Sequence, residues 1–380
     1  MKEFNISTVI CHGTGALKKL NEIVGKNVLI VCDGFIGASD IMTKVKGNLE
    51  QNNIFVYDKI IPDPTVEVVA RGLQLMEREN IDIIVAVGGG SSIDGAKAIA
   101  EYYRKLNNSG KGKIKFYAIP TTSGTGSEVT EYSVITNERE HLKYALTSKE
   151  ILPDVAILDA ELVKTVPKSI TADTGMDVIT HAIEAYVSKE STDFTDALAE
   201  KAFALATENL EKACNEGTNL VSREKMHNAS CLAGLAFNNA GLGLVHSLAH
   251  AIGGKLHIPH GKINAIILPY VIRFNSEVRT LSYLSQPNEV VSRYQKLAKI
   301  IGINASNPIL GINKLVDYIF ELNKKVGIPL TIKELGKDTE LLKSLEAEIY
   351  AAVMKDVCTK TNPKEVTKAD VHELLLEIIG

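Results

Sequence analysis

Four of the chain's nine histidines, His246, His250, His257 and His260, fall within fifteen residues of one another. Small or apolar residues surround them, Gly241-Leu242-Gly243-Leu244-Val245 before His246 and Ala251-Ile252-Gly253-Gly254 after His250. His246 and His250 are four apart and share one helix face. His260, between Pro259 and Gly261, is expected on a turn. Upstream, Asp177-Val178-Ile179-Thr180-His181 repeats the four-residue spacing with a carboxylate at one end. One carboxylate with two or three imidazoles is a donor set for a divalent ion such as Fe²⁺, Zn²⁺, Mn²⁺ or Co²⁺. Any one of these histidines alone reads better as a hydrogen-bonded core residue. Asp177, His181, His246 and His260 together read better as ligands. His257 fits either role, and Glu184, on the Asp177 face, is expected to be solvated or salt-bridged.

Two glycine-rich loops suggest a second kind of ligand. Val87-Gly88-Gly89-Gly90-Ser91-Ser92-Ile93-Asp94 follows an apolar run and opens a helical pattern. Glycines there let a phosphate approach the backbone, and a helix N-terminus offers free N–H groups. Asp94 is expected near the third helical position, capping the turn. Pro120-Thr121-Thr122-Ser123-Gly124-Thr125-Gly126-Ser127-Glu128 is a second such loop. One loop alone could be a tight strand-to-helix turn; two at neighbouring strand ends form the crevice where α/β sheets bind nucleotides. Neither is a GxGxxG fingerprint in a first βα turn. Asp33 ends another apolar run, placed either to accept hydrogen bonds from an adenosine ribose or simply to cap a turn.

The elements that must carry these residues follow from periodicity. Asn27–Cys32, Ile54–Tyr57, Ile81–Val87, Lys115–Ile119 and Val155–Asp159 read as buried strands, and 39–52, 65–80 and 91–105 as the helices between the first four. That alternation predicts a parallel sheet covered on both faces. Beyond Pro167 the pattern turns helical, over 173–188, 193–213, 223–238, 242–255, 289–301, 312–326 and 341–355. The expected architecture is therefore α/β: a Rossmann-like parallel-sheet N-terminal domain, 1–167, then an all-helical C-terminal domain, 168–380.

Composition narrows the rest. With 45% hydrophobic and 23% charged residues, the 380-residue chain is globular and large enough for two cores. Its 42 basic and 46 acidic residues leave a net charge of −4, with no general attraction for nucleic acid or an anionic membrane. No apolar run approaches the roughly 18 residues of a membrane span. Five scattered cysteines without a CxxC pair argue for a reducing compartment. The N-terminal Met1-Lys2-Glu3-Phe4-Asn5 lacks the basic and apolar regions of a secretory signal, so a cytoplasmic location is expected.

Taken together, GGGSSID (88–94), PTTSGTGSEVT (120–130), PDVAILD (153–159), TGMDVITHAIEAYVS (174–188) and HNASCLAGLAFNNAGLGLVHSLAHAIGGKLHIPHG (227–261) resemble the iron-dependent (group III) alcohol dehydrogenase family along essentially the whole chain. Within it, Cys32–Phe35, 193–202, 225–229 and Thr361-Asn362-Pro363 are most similar to members acting on 1-propanol in propanediol utilisation. The resemblance implies NAD(H) and a divalent metal, Fe²⁺ or Zn²⁺ or another such ion, in the cleft between the domains. It makes Asp177, His181, His246 and His260 the metal ligands and His250, near the nicotinamide, a proton relay or positioning residue and not a ligand. Gly89, Gly90, Ser91 and Asp94 match the pyrophosphate loop. Thr121, Thr122, Thr125 and Lys143 match further cofactor contacts, and Asp33 matches the ribose-side acid. Asp63 stands where many members carry Asn, which weakens it as a cofactor contact.

The implied activity is an NAD(H)-dependent alcohol dehydrogenase or aldehyde reductase for short primary alcohols, of the 1-propanol/propionaldehyde type. A small-molecule substrate, a homo-oligomer and association with a bacterial microcompartment are implied with it. A non-redox NAD- and metal-dependent lyase of the dehydroquinate-synthase-like superfamily is the alternative, but it needs a basic pocket for a polyol phosphate that the sequence does not show. A metallohydrolase would leave both glycine loops unexplained.

Overall fold

The β-branched runs of the first third become the centre of a six-stranded parallel sheet. In this computed structural model residues 3–107, 114–138, 142–278 and 288–380 are described. Its strands are β1 (Val9–His12), β2 (Asn27–Asp33), β3 (Asn53–Ile60), β4 (Ile83–Gly88) and β5 (Lys115–Pro120), with β8 (Val155–Leu158) further on. Their order is β1-β8-β5-β4-β2-β3, with every pairing parallel. A separate antiparallel hairpin, β6 (Tyr132–Asn137) and β7 (Leu142–Thr147), stands apart from that sheet.

Alternation along the central strands feeds two cores. Val28, Ile30, Val85 and Val87 point into one, with Met42 and Val45 of α2 (Asp40–Gly47). Leu29, Val31, Ile84 and Ala86 point into the other, against α3 (Val66–Glu79) and α4 (Gly90–Leu106). Each such side chain, fully removed from water, contributes about 1.5–3 kcal/mol. Two-sided burial is why these strands read as unbroken apolar runs. Strand β1 was not foreseen: it is short, lies at the sheet edge and ends in Cys11-His12. The hairpin and the single-turn α1 (Gly34–Gly37) were missed as well. The helix expected to reach residue 52 stops at Gly47.

The chain divides into two compact units, Asn5–Val166 and Pro167–Gly380 with the segment up to Phe4. In the second, Phe4 stacks on Phe194 with ring centroids 5.3 Å apart. Its long helices are α5 (Lys168–Val187), α6 (Asp193–Asn215), α7 (Leu220–Ala240), α8 (Leu244–Leu256) and α9 (His260–Ser276). There follow α10 (Glu289–Ile300), α11 (Pro308–Val326), α12 (Thr339–Ser344), α13 (Glu346–Lys355), α14 (Val357–Thr361) and α15 (Lys368–Ile379). One hydrocarbon core joins all of these but α14. No single helix among the described residues is long and apolar enough to cross a membrane.

Two expectations change here. His260 is not on a turn: it is the first residue of α9, with Pro259 as N-cap at φ −53°. A proline just ahead of a helix gives up no hydrogen bond, so Pro259 starts α9 where it was read as a turn residue. His257 caps the C-terminus of α8 at φ 50° and lies outside the ligand cluster.

Helix α9 lies unusually close to α5. A Cβ on Gly261 would stand 2.1 Å from the Asp173 carbonyl oxygen, a backbone atom that cannot swing away. We expect Gly261→Ala to push α9 off α5, costing about 1–3 kcal/mol as overpacking does. Thermal unfolding checks it; an unchanged Tm would mean that the two helices separate freely.

Candidate metal centre and cofactor loops

Asp177 and His181 project from α5, His246 from α8 and His260 from α9. The four offer one donor atom each within 4.8 Å of one another. Asp177 Oδ1 lies 3.9 Å from His181 Nε2, 3.8 Å from His246 Nε2 and 3.8 Å from His260 Nε2. Two bonds of about 2.0–2.2 Å to a common ion span at most about 4.4 Å, so one ion can bind Asp177 together with each of the three imidazoles. Asp177, His181 and His246 are buried, whereas the His260 side chain is 44% exposed. The cluster is therefore closed on three sides and open on one.

The surroundings fit a cation. Burial, followed by repulsion from His181, His260 and His250, holds the His246 pKa well below the ordinary value, which keeps the ring neutral. A neutral imidazole is the form that binds metal. Behind it, His246 Nδ1 meets Glu184 Oε2 at 2.6 Å, while Glu184 Oε1 accepts from Val245 N at 2.6 Å. A proton on Nδ1 leaves the Nε2 lone pair facing Asp177, the arrangement by which carboxylates orient metal-bound histidines. Burial pushes Glu184 up to about 8, against the pull of the Val245, Gly243 and His246 backbone N–H groups. Glu184 is thus not solvated; its partner is the buried His246 ring. It is buried because α8 closes over the α5 face that carries it.

Asn264, one turn after His260 and fully buried, was not foreseen. Its Nδ2 donates to Asp177 Oδ1 at 2.7 Å and lies 3.2 Å from His246 Nε2 and 3.1 Å from His260 Nε2. Its Oδ1 is buried with no hydrogen-bond partner among the described residues. The spacing to His260 was the only signal in the sequence. His250 sits beside the cluster, 46% exposed, with its ring stacked on His260 at 5.4 Å. Its Nδ1 meets Asp356 Oδ2 at 2.8 Å. Burial alone would raise the Asp356 pKa, but the hydrogen bond and charge of His250 outweigh it and hold the pKa down.

In the other unit the glycine loops meet. Asp33 ends β2 and Gly88 ends β4, with β3 on the far side of β2. The connections therefore reverse direction at this pair, the place where open α/β sheets bind ligands. Asp33 Oδ1 accepts from Ile36 N at 2.9 Å, capping α1, and Oδ2 lies 3.5 Å from Ser92 Oγ. Gly88 has φ 150°, and a Cβ there would strike Ser92 Oγ at 2.4 Å. Gly90 leaves room for Thr125, whose Cγ2 would stand 2.8 Å from an added Cβ, and Thr122 lies beside Gly89. Thr121 N donates to Gly88 O at 2.9 Å. No side chain caps α4, so Gly89, Gly90 and Ser91 form an uncapped helix N-terminus.

Asp94 does not cap that helix as expected. It lies in the second turn, where Oδ1 accepts from Ser127 Oγ at 2.6 Å and Oδ2 from Val134 N at 3.0 Å. It ties α4 to the second loop and to β6. Lys97, buried and unforeseen, does the same with Nζ donating to Thr130 O at 2.7 Å and Tyr132 O at 2.8 Å. Burial lowers Lys97 to about 8 despite nearby Asp94 and Glu128. Lys143 falls in β7, but its side chain lies outside the described residues.

Residues 7–160 match the iron-containing alcohol dehydrogenase family, and residues 171–379 match the C-terminal part of the Fe-containing alcohol dehydrogenase family. The chain belongs to the iron-containing alcohol dehydrogenases. Among relatives, the 1-propanol dehydrogenase of Salmonella typhimurium is 41% identical, with both chains covered in full. An NADPH-dependent butanol dehydrogenase of Clostridium saccharobutylicum is 40% identical over 98% of this chain and 97% of its own. The solved structure of a sulfoacetaldehyde reductase from Bifidobacterium kashiwanohense in complex with NAD⁺ superimposes with a TM-score of 0.85. It is 27% identical and covers 100% of this chain and 98% of that one. Membership favours alcohol dehydrogenase chemistry over the lyase alternative.

The ligand geometry sets a test. Asp177→Ala and His260→Ala should lose bound metal while keeping the helical circular-dichroism signal, because the hydrocarbon core does not include the cluster. Glu184→Gln should weaken metal affinity about 10–100-fold, as loss of an orienting partner does. Elemental analysis after dialysis reads both; full occupancy in either first variant would remove that residue from the set.

Proposed function

We propose that the chain catalyses the reversible NAD(H)-linked interconversion of short primary alcohols and aldehydes, of the 1-propanol/propionaldehyde type. The observation that carries this reading is the one-sided opening of the Asp177–His181–His246–His260 cluster beside an exposed histidine, in a chain of this family. The full-length similarity to 1-propanol dehydrogenases supports the substrate class. Asp177, His181, His246 and His260 would hold the divalent ion, and Gly89, Gly90, Ser91, Thr121, Thr122 and Thr125 would line the cofactor's phosphates, with Lys143 a further contact. Bound, the ion supplies Lewis acidity toward the substrate oxygen and the nicotinamide supplies hydride acceptance.

The chain's own residues do the rest. His250, held through Nδ1 by Asp356, takes the hydroxyl proton at Nε2 during oxidation and returns it during reduction. Being exposed, it exchanges that proton with solvent. The α4 N-terminus directs backbone N–H groups at an anion. Asp33 accepts hydrogen bonds from ribose hydroxyls and repels a 2′-phosphate, so NAD(H) is preferred although one relative uses NADPH. A cytoplasmic homo-oligomer, packaged in a microcompartment as propanediol utilisation implies, completes the proposal.

NADH consumption across a panel of aldehydes tests the activity; no turnover with any short aldehyde refutes it. His250→Ala should keep the ion at the Asp177 cluster and lose about 10²–10⁴-fold in rate, and loss of that ion instead would make His250 one of its ligands. For Asp33, a charge pair at about 4 Å and effective dielectric 20 is worth about 4 kcal/mol. Solvent screening reduces this to about 1–3 kcal/mol, a roughly ten- to hundredfold preference in kcat/KM. Asp33→Gly should therefore raise NADPH use with only a modest loss for NADH; an unchanged cofactor ratio would place Asp33 away from the ribose.

A further inference from the structure

A second group of donors stands next to the first. His250, Asp356 and Cys358 offer a nitrogen, an oxygen and a sulfur within 4.8 Å of one another. Three observations make this more than a chance meeting. Asp356 is the N-cap of α14, where Oδ1 accepts from Cys358 N at 2.8 Å, so the carboxylate is fixed and Oδ2 is left to His250 Nδ1 at 2.8 Å. Cys358 is buried and not in a disulfide, with its thiol against that same carboxylate. His250 is 46% exposed, giving an ion a way in from solvent.

We propose that His250, Asp356 and Cys358 form a second divalent-cation site, selective for thiophilic ions such as Zn²⁺ or Co²⁺, whose occupation inhibits the enzyme. The two donor sets differ in kind. Three imidazoles and a carboxylate suit Fe²⁺ as well as Zn²⁺, whereas a thiolate shifts preference toward softer ions. Three protein ligands leave a coordination position for water. Binding releases the Cys358 thiol proton to solvent, while the proton shared between His250 Nδ1 and Asp356 moves to Nε2, where it blocks proton acceptance. With Nδ1 on the ion and Asp356 no longer behind it, His250 cannot relay a proton. Site formation is independent of the dehydrogenase reading; only the inhibition rests on it.

The test is a Co²⁺ titration of the full-length protein, read by equilibrium dialysis and near-ultraviolet absorption. Wild type should bind two equivalents, the weaker one bringing a thiolate-to-cobalt charge-transfer band. Cys358→Ser, a near-isosteric change, should bind one equivalent and show no band. His260→Ala, which removes a ligand of the first site, should keep the band. A single equivalent in wild type, a second without the band, or a band that persists in Cys358→Ser would overturn the site. In aldehyde reduction the second equivalent should slow wild type about 10²-fold, the scale of a lost acid–base group, and leave Cys358→Ser unaffected. Full turnover in a wild-type sample that shows the band would overturn the inhibition while leaving the site and the dehydrogenase reading standing. Absence of turnover before any second equivalent would instead count against the dehydrogenase reading.

Discussion

A carboxylate 3% exposed among helices is the constraint around which the second unit is arranged. Leaving water costs an ionised group several kcal/mol unless charge and hydrogen bonds replace its hydration. Among the described residues no lysine or arginine pairs with Asp177. It has instead the Asn264 amide and three imidazole nitrogens at nearly equal distance. A divalent ion held among these nitrogens offsets a buried negative charge. The positions of α5, α8 and α9 then follow. Two ligands a turn apart on α5 fix one edge, and α9 must come close enough for its first residue to complete the set. Gly261 permits that approach by carrying no side chain where it meets the α5 backbone.

The sheet-bearing unit is organised by a different requirement. An anion needs N–H groups, and buried strands have none to spare. Strand ends at a reversal of connection direction leave them free. Gly88 and Gly90 let Ser92 and Thr125 pack against the loop backbone, while Asp94 and Lys97 pin the second loop to α4 from beneath. The polar residues here divide by depth. Those facing solvent are available to a ligand, and those underneath hold the frame.

Legibility in the sequence followed the range of the interaction. The five buried strands, the two glycine loops and the His/Asp cluster were readable because each is a local pattern of period, glycine content or spacing. Glu184 was misjudged because its partners, Val245 and His246, lie about sixty residues along the chain and only helix packing joins them. Asn264 and Lys97 were missed for the same reason: an asparagine or lysine in a helix is ordinarily solvated, and nothing local shows that its face is covered. His260 was placed on a turn because proline and glycine flank it. The proline in fact starts a helix, and the glycine serves a contact with α5.

Exposure decides what kind of centre the cluster makes. A structural ion is enclosed by four protein ligands, whereas a catalytic one keeps a side open. The first three ligands are buried, and the Phe237 ring lies 4.6 Å from that of His181. His260 stands at the surface with His250 stacked on it, so two parallel imidazoles border the open side. One belongs to the ligand set, and the other is tied to Asp356 and carries a free ring nitrogen. An ion there is pinned from behind by rigid, buried groups and approached in front across a titratable ring. That asymmetry, more than the identity of the four ligands, separates a site that handles a substrate oxygen from one that merely staples helices together.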